Sequence, residues 1–124
     1  MGKIKERFYK EAINEYKKRI ENFVKIEIIE TNKIDSKCDY NIYLDERGKE
    51  LTSLEFANFL KDLLLQYKKI GFYIGGWEGL KEYKDADFIL SLSKMTFPYQ
   101  LCRVILLEQI YRALAIIKGI SYHK

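Results

Sequence analysis

Apolar residues recur at helical spacing from Lys5 to Asn22, at Phe8, Ala12, Ile13, Tyr16 and Ile20, with lysine, arginine and glutamate between them. That spacing predicts an amphipathic helix. From Val24 to Glu30 the pattern changes to near alternation among β-branched residues (Val-Lys-Ile-Glu-Ile-Ile-Glu), which predicts a strand, and a second strand is expected at about Tyr40 to Asp45. Thr52-Ser-Leu-Glu55 has the order of a capping box ahead of an apolar run, so a helix is expected from there to about Lys69, with Phe56, Phe59, Leu60, Leu63 and Leu64 as its stripe. Two short apolar runs, Ile70 to Ile74 and Phe88 to Leu92, suit strands buried on both faces. Strands alternating with helices favour a parallel α/β sheet. Pro98 fits the first turn of a last helix, because its missing N–H would be unpaired there anyway, and Gly119 closes that helix after Lys118.

The last helix is apolar almost all round: Leu101, Val104, Ile105, Leu106, Leu107, Ile110, Tyr111, Ala113, Leu114, Ile116 and Ile117. A surface helix needs one apolar stripe, so the excess predicts a second partner. Five such side chains contribute on the order of 10 kcal/mol, comparable with the cost of association, and a homodimer through this helix is expected.

With 124 residues the chain is read as one domain, residues 1–124, large enough for a single core. Its net charge of +4 permits a nucleic-acid partner without requiring one. Cys38 and Cys102 have no C-x-x-C spacing and the only histidine is His123, so no metal site is expected. Cys102 reads as a core residue. No apolar run approaches the roughly 20 residues of a membrane span and no signal peptide is visible, so a cytoplasmic protein is expected.

Two segments carry candidate chemistry. Gly75-Gly76 closes a strand, where backbone without side chains approaches a ligand closely. Taken alone, Gly75-Gly-Trp-Glu-Gly79 matches neither the dinucleotide fingerprint nor the phosphate loop and is a turn more often than a site. Ser91-Leu-Ser-Lys-Met-Thr-Phe-Pro98 joins a buried strand to the last helix through small and hydroxylated residues. Backbone groups in that loop suit an adenine edge, with Leu92, Met95 and Phe97 against its faces; the plainer alternative is a helix start capped by Thr96.

These two segments, with the ending Gly119-Ile-Ser-Tyr-His-Lys124, resemble the small knotted methyltransferases of the SPOUT superfamily, and among them the RlmH family, which methylates N3 of a pseudouridine in large-subunit (23S) ribosomal RNA. The resemblance covers about Gly2 to Lys124 and is strongest from Ile74 onward. It implies a homodimeric parallel α/β fold with a C-terminal trefoil knot over about residues 72–124, a feature composition never predicts because true knots are so rare. It implies S-adenosyl-L-methionine as cofactor, held by Leu44, Gly76, Ser93, Lys94, Met95, Thr96, Phe97 and Pro98. It implies His123 as base or RNA clamp, supported by Tyr122, and RNA contacts at Trp77, Tyr99, Arg103 and Lys124. The basic positions of the first helix, Lys5, Arg7, Lys10, Lys17, Lys18 and Arg19, add a candidate RNA face, although such runs usually serve solvation.

The chain departs from the family pattern in three places. A short apolar strand normally precedes Gly2-Lys-Ile-Lys-Glu-Arg-Phe8, where only Met1 stands. A helix normally separates the first two strands expected here, and Thr31 to Asp39 is too short for it. Tyr99 follows the Phe-Pro pair where relatives often carry histidine. The competing expectation is therefore a reduced or engineered knotted dimer that folds and, with or without binding cofactor, does not methylate; a general RNA-binding module is a third.

Overall fold

The computed structural model describes residues 2–23, 27–30, 38–74 and 86–122. Seven elements follow one another: α1 (Gly2–Glu21), β1 (Glu27–Glu30), β2 (Tyr40–Glu50), α2 (Ser53–Gln66), β3 (Ile70–Ile74), β4 (Phe88–Ser91) and α3 (Tyr99–Lys118). The four strands form one sheet in the order β1-β3-β2-β4, every neighbouring pair parallel, as the alternation of strands and helices predicts.

Period-two alternation gives the sheet two different faces. Ile42, Ile70, Phe72, Ile74 and Leu90 join one core with Ile13 and Ile20 of α1, with Phe56, Ala57, Leu60 and Leu63 of α2, and with Leu106, Leu107, Ile110, Ala113 and Leu114 of α3. On the opposite face Tyr43 and Tyr73 are buried side by side, with Ala86 and Ile89 packed against them. The Tyr73 hydroxyl donates to Asn41 Oδ1 at 2.9 Å, which gives two buried polar groups a partner.

α2 begins where the capping box predicts. Glu55 N–H donates to Thr52 Oγ1 at 3.1 Å, and Thr52 N–H donates to a Glu55 carboxylate oxygen at 2.8 Å. These bonds, the one from the Thr52 backbone first, hold the Glu55 carboxyl below its ordinary range. Thr52→Ala is therefore expected to lower the unfolding free energy by about 1 kcal/mol at neutral pH. A depressed carboxyl stabilises above its unfolded value, so wild type and mutant should both lose stability as pH falls below about 4.5 and Glu55 protonates, while the deficit of Thr52→Ala, which keeps the backbone bond to Glu55, changes little; urea melts at several pH values check this. The helix ends at Gln66 rather than near Lys69, because Lys68 N–H and Lys69 N–H donate to Asp39 Oδ2 at 3.2 and 3.0 Å, tying this connection to the start of β2.

α3 runs between α1 and α2. Tyr16 and Phe23 meet the Tyr111 ring from one side, with centroids 6.4 and 6.3 Å away, and Ser53 Oγ donates to Gln109 at 2.7 Å on the other. Part of the all-round apolarity of α3 is thus satisfied within its own chain, and Ile110 is fully buried there. Leu101, Ile105 and Ile117 remain only half covered. Gly119 closes the helix with φ 73°, the left-handed cap that glycine adopts without penalty. Phe8, expected on the buried stripe of α1, is instead 74% exposed. Among the described residues no helix is long and apolar enough to cross a membrane.

Candidate cofactor loop and C-terminal cluster

Leu44 pairs with Ile74 on one side and with Leu90 on the other, so the carboxyl ends of β3 and β4 flank the point where β2 leaves its first pairing with β4. Ligands in open parallel sheets bind beyond such ends. Two positions after Ile74 comes Gly76, and one after Leu90 comes Ser91, which opens the loop to Pro98. Gly76, Trp77, His123 and Lys124 lie outside the described residues, as does the Tyr99 side chain.

β2 does not stop at Asp45. It bulges at residues 45–48 and pairs with β4 again, Leu90 standing opposite both Leu44 and Lys49. Asp45 closes the bulge by accepting Arg47 N–H at 2.8 Å and the Arg47 guanidinium at 3.0 and 3.1 Å. Gly48 lets the bulge return to the sheet, since a Cβ there would stand 2.6 Å from the Ile89 carbonyl oxygen. Glu46 is thereby raised to the loop after β4, where its carboxylate accepts from Thr96 Oγ1 at 2.6 Å. Lys94 lies 3.9 Å from Glu50, an exposed pair that adds little.

Within the loop, the buried Ser91 hydroxyl donates to Ser93 C=O at 2.9 Å and Ser93 Oγ accepts from Met95 N–H at 3.0 Å. Met95 is 73% exposed while Leu92 and Phe97 are half-buried. Thr96 is not the helix cap: its hydroxyl is turned to Glu46, and the N-cap is Pro98, which has no side-chain bond to offer. Proline therefore stands one residue before the first turn rather than in it. Cys102 packs beneath the loop with its thiol 3.8 Å from Phe97 C=O, and burial raises its pKa, so it is a protonated packing residue and not a nucleophile. The site thus has an apolar floor, exposed methionine and a backbone fixed by serine hydroxyls, which fits an adenine-bearing cofactor.

The tail after α3 turns back along the helix. The Tyr122 hydroxyl donates to Glu108 Oε2 at 3.1 Å, its ring meets Tyr111 edge-on at 4.7 Å, and Arg112 lies over that ring at 5.1 Å. Arg112 and Glu108 form the intrahelical pair that their spacing predicts, at 2.6 Å. Burial, then hydrogen bonds with Tyr16 and Glu108, push the Tyr122 phenol well above its ordinary pKa. It is a hydrogen-bond donor at neutral pH and not a base. Glu108 lies nine residues into α3, roughly 14 Å along the axis, so within one chain Tyr122 and the cofactor loop stand apart. Arg103 lies nearer that loop and faces Lys10 and Lys17 of α1 across a groove. Among the described residues no group of histidine, cysteine and carboxylate side chains could hold a metal ion.

The family model described as a predicted SPOUT methyltransferase matches residues 31–123. The chain belongs to the SPOUT methyltransferase family. Its relatives include the ribosomal RNA large subunit methyltransferase H of Coprothermobacter proteolyticus, 44% identical over 132 residues, with 100% of this chain and 95% of that protein covered. The protein of the same name from Caldicellulosiruptor saccharolyticus is 40% identical over 148 residues, and a putative one from Methanococcus vannielii 42% over 152, each covering 100% of this chain and 96% of the relative. Against the 124 residues of this chain, the alignments of 132 and 152 leave at least 8 and 28 positions facing gaps. Most of the shortening relative to the Methanococcus protein is therefore shared by the Coprothermobacter one.

Proposed function

We propose that this chain transfers a methyl group from S-adenosyl-L-methionine to N3 of a pseudouridine in large-subunit ribosomal RNA. The observation that carries the reading is end-to-end likeness, at 40 to 44% identity, to relatives named ribosomal RNA large subunit methyltransferase H. The shared shortening of the Coprothermobacter relative supports an active enzyme over a reduced scaffold. Leu44, Gly76 and Ser93 to Pro98 hold the cofactor in this reading, which supplies an electrophilic methyl group on a sulfonium. The row Ile74–Leu44–Leu90, which sets the carboxyl ends of β3 and β4 on either side of Leu44, supports that assignment.

The attacking nitrogen must lose its proton, and the task falls to His123, whose reference pKa of about 6.5 leaves it mostly neutral at pH 7. Tyr122 positions the tail by its anchorage to Glu108, Tyr111 and Arg112. Because the tail and the cofactor loop stand apart in one chain, the reading includes a homodimer in which the tail of one subunit meets the loop of the other, within the family's trefoil knot over about residues 72–124. The reading also places the protein in the cytoplasm with the ribosome.

Calorimetry with S-adenosyl-L-methionine, followed by a methylation assay on large ribosomal subunits lacking the mark, tests the function; binding without turnover would favour the scaffold. The dimer is tested at Ile105, half exposed on one chain, and not at Ile110, whose burial in the core makes any charge there a folding defect. Ile105→Asp should leave far-ultraviolet circular dichroism unchanged, convert a dimer to a monomer in sedimentation at micromolar concentration, and abolish methylation. A wild-type chain that sediments as a monomer would remove the interface.

A further inference from the structure

The excess positive charge of the chain is concentrated in its first helix. α1 carries seven lysines and arginines against four glutamates, a net +3 out of the +4 of the whole chain. Part of that charge borders an open groove of about 330 Å³ between α1 and the first turns of α3, lined by Lys10, Ile13, Asn14, Lys17, Gln100 and Arg103. Three cations and two amides surround an isoleucine, and among the described residues no carboxylate lines the groove.

Helix geometry explains the composition. Lys10, Asn14 and Lys17 share one face, with the two lysines separated by two turns, roughly 10 Å along the axis. Glu11 and Glu15 each follow a groove residue by one position and are turned about 100° away; Glu15 spends its charge on Arg19, at 3.1 Å. A helix that merely needed solubility would mix both signs on every exposed face. From Lys10 to Lys17 this face carries no carboxylate. Lysine, arginine, asparagine and glutamine are the side chains that hold phosphate oxygens in nucleic-acid complexes, where such contacts set register and carry no sequence information.

The location is equally informative. Gln100 and Arg103 follow Pro98 by two and five residues, so the groove opens beside the loop assigned to the cofactor. A strand held there by its backbone would be fixed close to the methyl donor. We infer that the groove between α1 and the start of α3 is a phosphodiester-binding track for the ribosomal RNA substrate, with Lys10, Lys17 and Arg103 neutralising phosphates and Asn14 and Gln100 donating to their oxygens. The inference rests on the proposed RNA substrate and adds the surface that docks it.

The test uses the full chain and a fluorescent ribosomal RNA fragment containing the methylated hairpin, with binding measured by anisotropy over a range of KCl concentrations. Lys10 and Lys17 are exposed, so Lys10→Glu/Lys17→Glu should fold and should bind S-adenosyl-L-methionine within twofold of wild type. RNA affinity should fall at least tenfold at low salt. The slope of log K against log salt should become shallower by about 1.4 to 1.8, the loss of two phosphate contacts. Lys10→Gln/Lys17→Gln, which removes charge without adding repulsion, should show the same change of slope. Wild-type affinity and slope in the glutamine variant would overturn the track, as would a wild-type chain that binds no RNA. If the glutamate variant instead loses its dimer while retaining RNA affinity, the groove holds a second copy and the track is again overturned. A wild-type chain that binds RNA through these lysines but never methylates would remove the proposed function and leave the track standing.

Discussion

Gly48→Val will cost the protein about 3 kcal/mol of stability and at least tenfold in cofactor affinity. A Cβ at this position would lie 2.6 and 2.7 Å from the carbonyl oxygen and carbon of Ile89, and 2.7 Å from its Cγ2. Two of those atoms are backbone in the middle of β4, so neither side-chain rotation nor a small shift relieves the contact. The bulge must lift away from the sheet, and the second pairing of β2 with β4, at Lys49 and Glu50, is lost. With it moves Glu46, whose carboxylate holds Thr96 at 2.6 Å in the centre of the proposed cofactor loop. Urea denaturation and calorimetry with S-adenosyl-L-methionine measure the two effects separately. A Glu46→Gln control keeps the bulge and weakens only the bond to Thr96, and it should lose cofactor affinity without a comparable loss of stability. If Gly48→Val melts with the wild type, the close approach of bulge and strand is wrong.

Where hydrophobic periodicity was long and undisturbed, the chain announced its own structure. Ile70 to Ile74 is a strand as its apolar run predicts, and the Thr52 capping box and the Gly119 terminus are both present. These features are local: each depends on a few neighbouring side chains and little else. The misjudged features depend on distant partners. The second strand was expected to stop at about Asp45 because nothing in Asp45-Glu-Arg-Gly48 reveals that β4 takes up the pairing again beyond them. The alternative in which Thr96 caps the helix failed because its actual partner, Glu46, is fifty residues away. The all-round apolarity of α3 is used in part within the chain, where α1 and α2 cover two of its sides. Of the candidate site, the glycine pair and the loop before Pro98 were legible as types of segment. That the carboxyl ends of β3 and β4 lie one strand apart was not, because it follows from the strand order, in which β2 lies between β3 and β4. The basic groove was half legible: the charge of the first helix was evident, but its opposition to Gln100 and Arg103 needed the packing of α1 on α3.

Deleting Tyr122 to Lys124 is expected to abolish methylation while leaving cofactor affinity within a few fold. The proposed pocket uses backbone between Ser93 and Pro98, whereas Tyr122 is held to Glu108, roughly 14 Å along α3 from that loop. The deletion removes the phenol that holds the tail to Glu108 at 3.1 Å and the imidazole that the proposed mechanism assigns to proton removal. Some stability goes with it, because the Tyr111 ring and the Arg112 guanidinium lose a packed aromatic surface, a contribution of about 1 kcal/mol. Two point variants separate the parts of this effect. Tyr122→Phe keeps the ring and loses the hydroxyl's bonds with Glu108 and Tyr16, so turnover should fall modestly. His123→Ala should reproduce most of the loss caused by the deletion, and raising the pH should partly restore its rate as the substrate imide ionises without help. If instead affinity and activity fall together on deletion, the tail shapes the cofactor pocket of the partner subunit rather than serving the proton transfer. A deleted chain that methylates ribosomes at the wild-type rate would leave both residues with no part in the reaction, a common condition for chain termini.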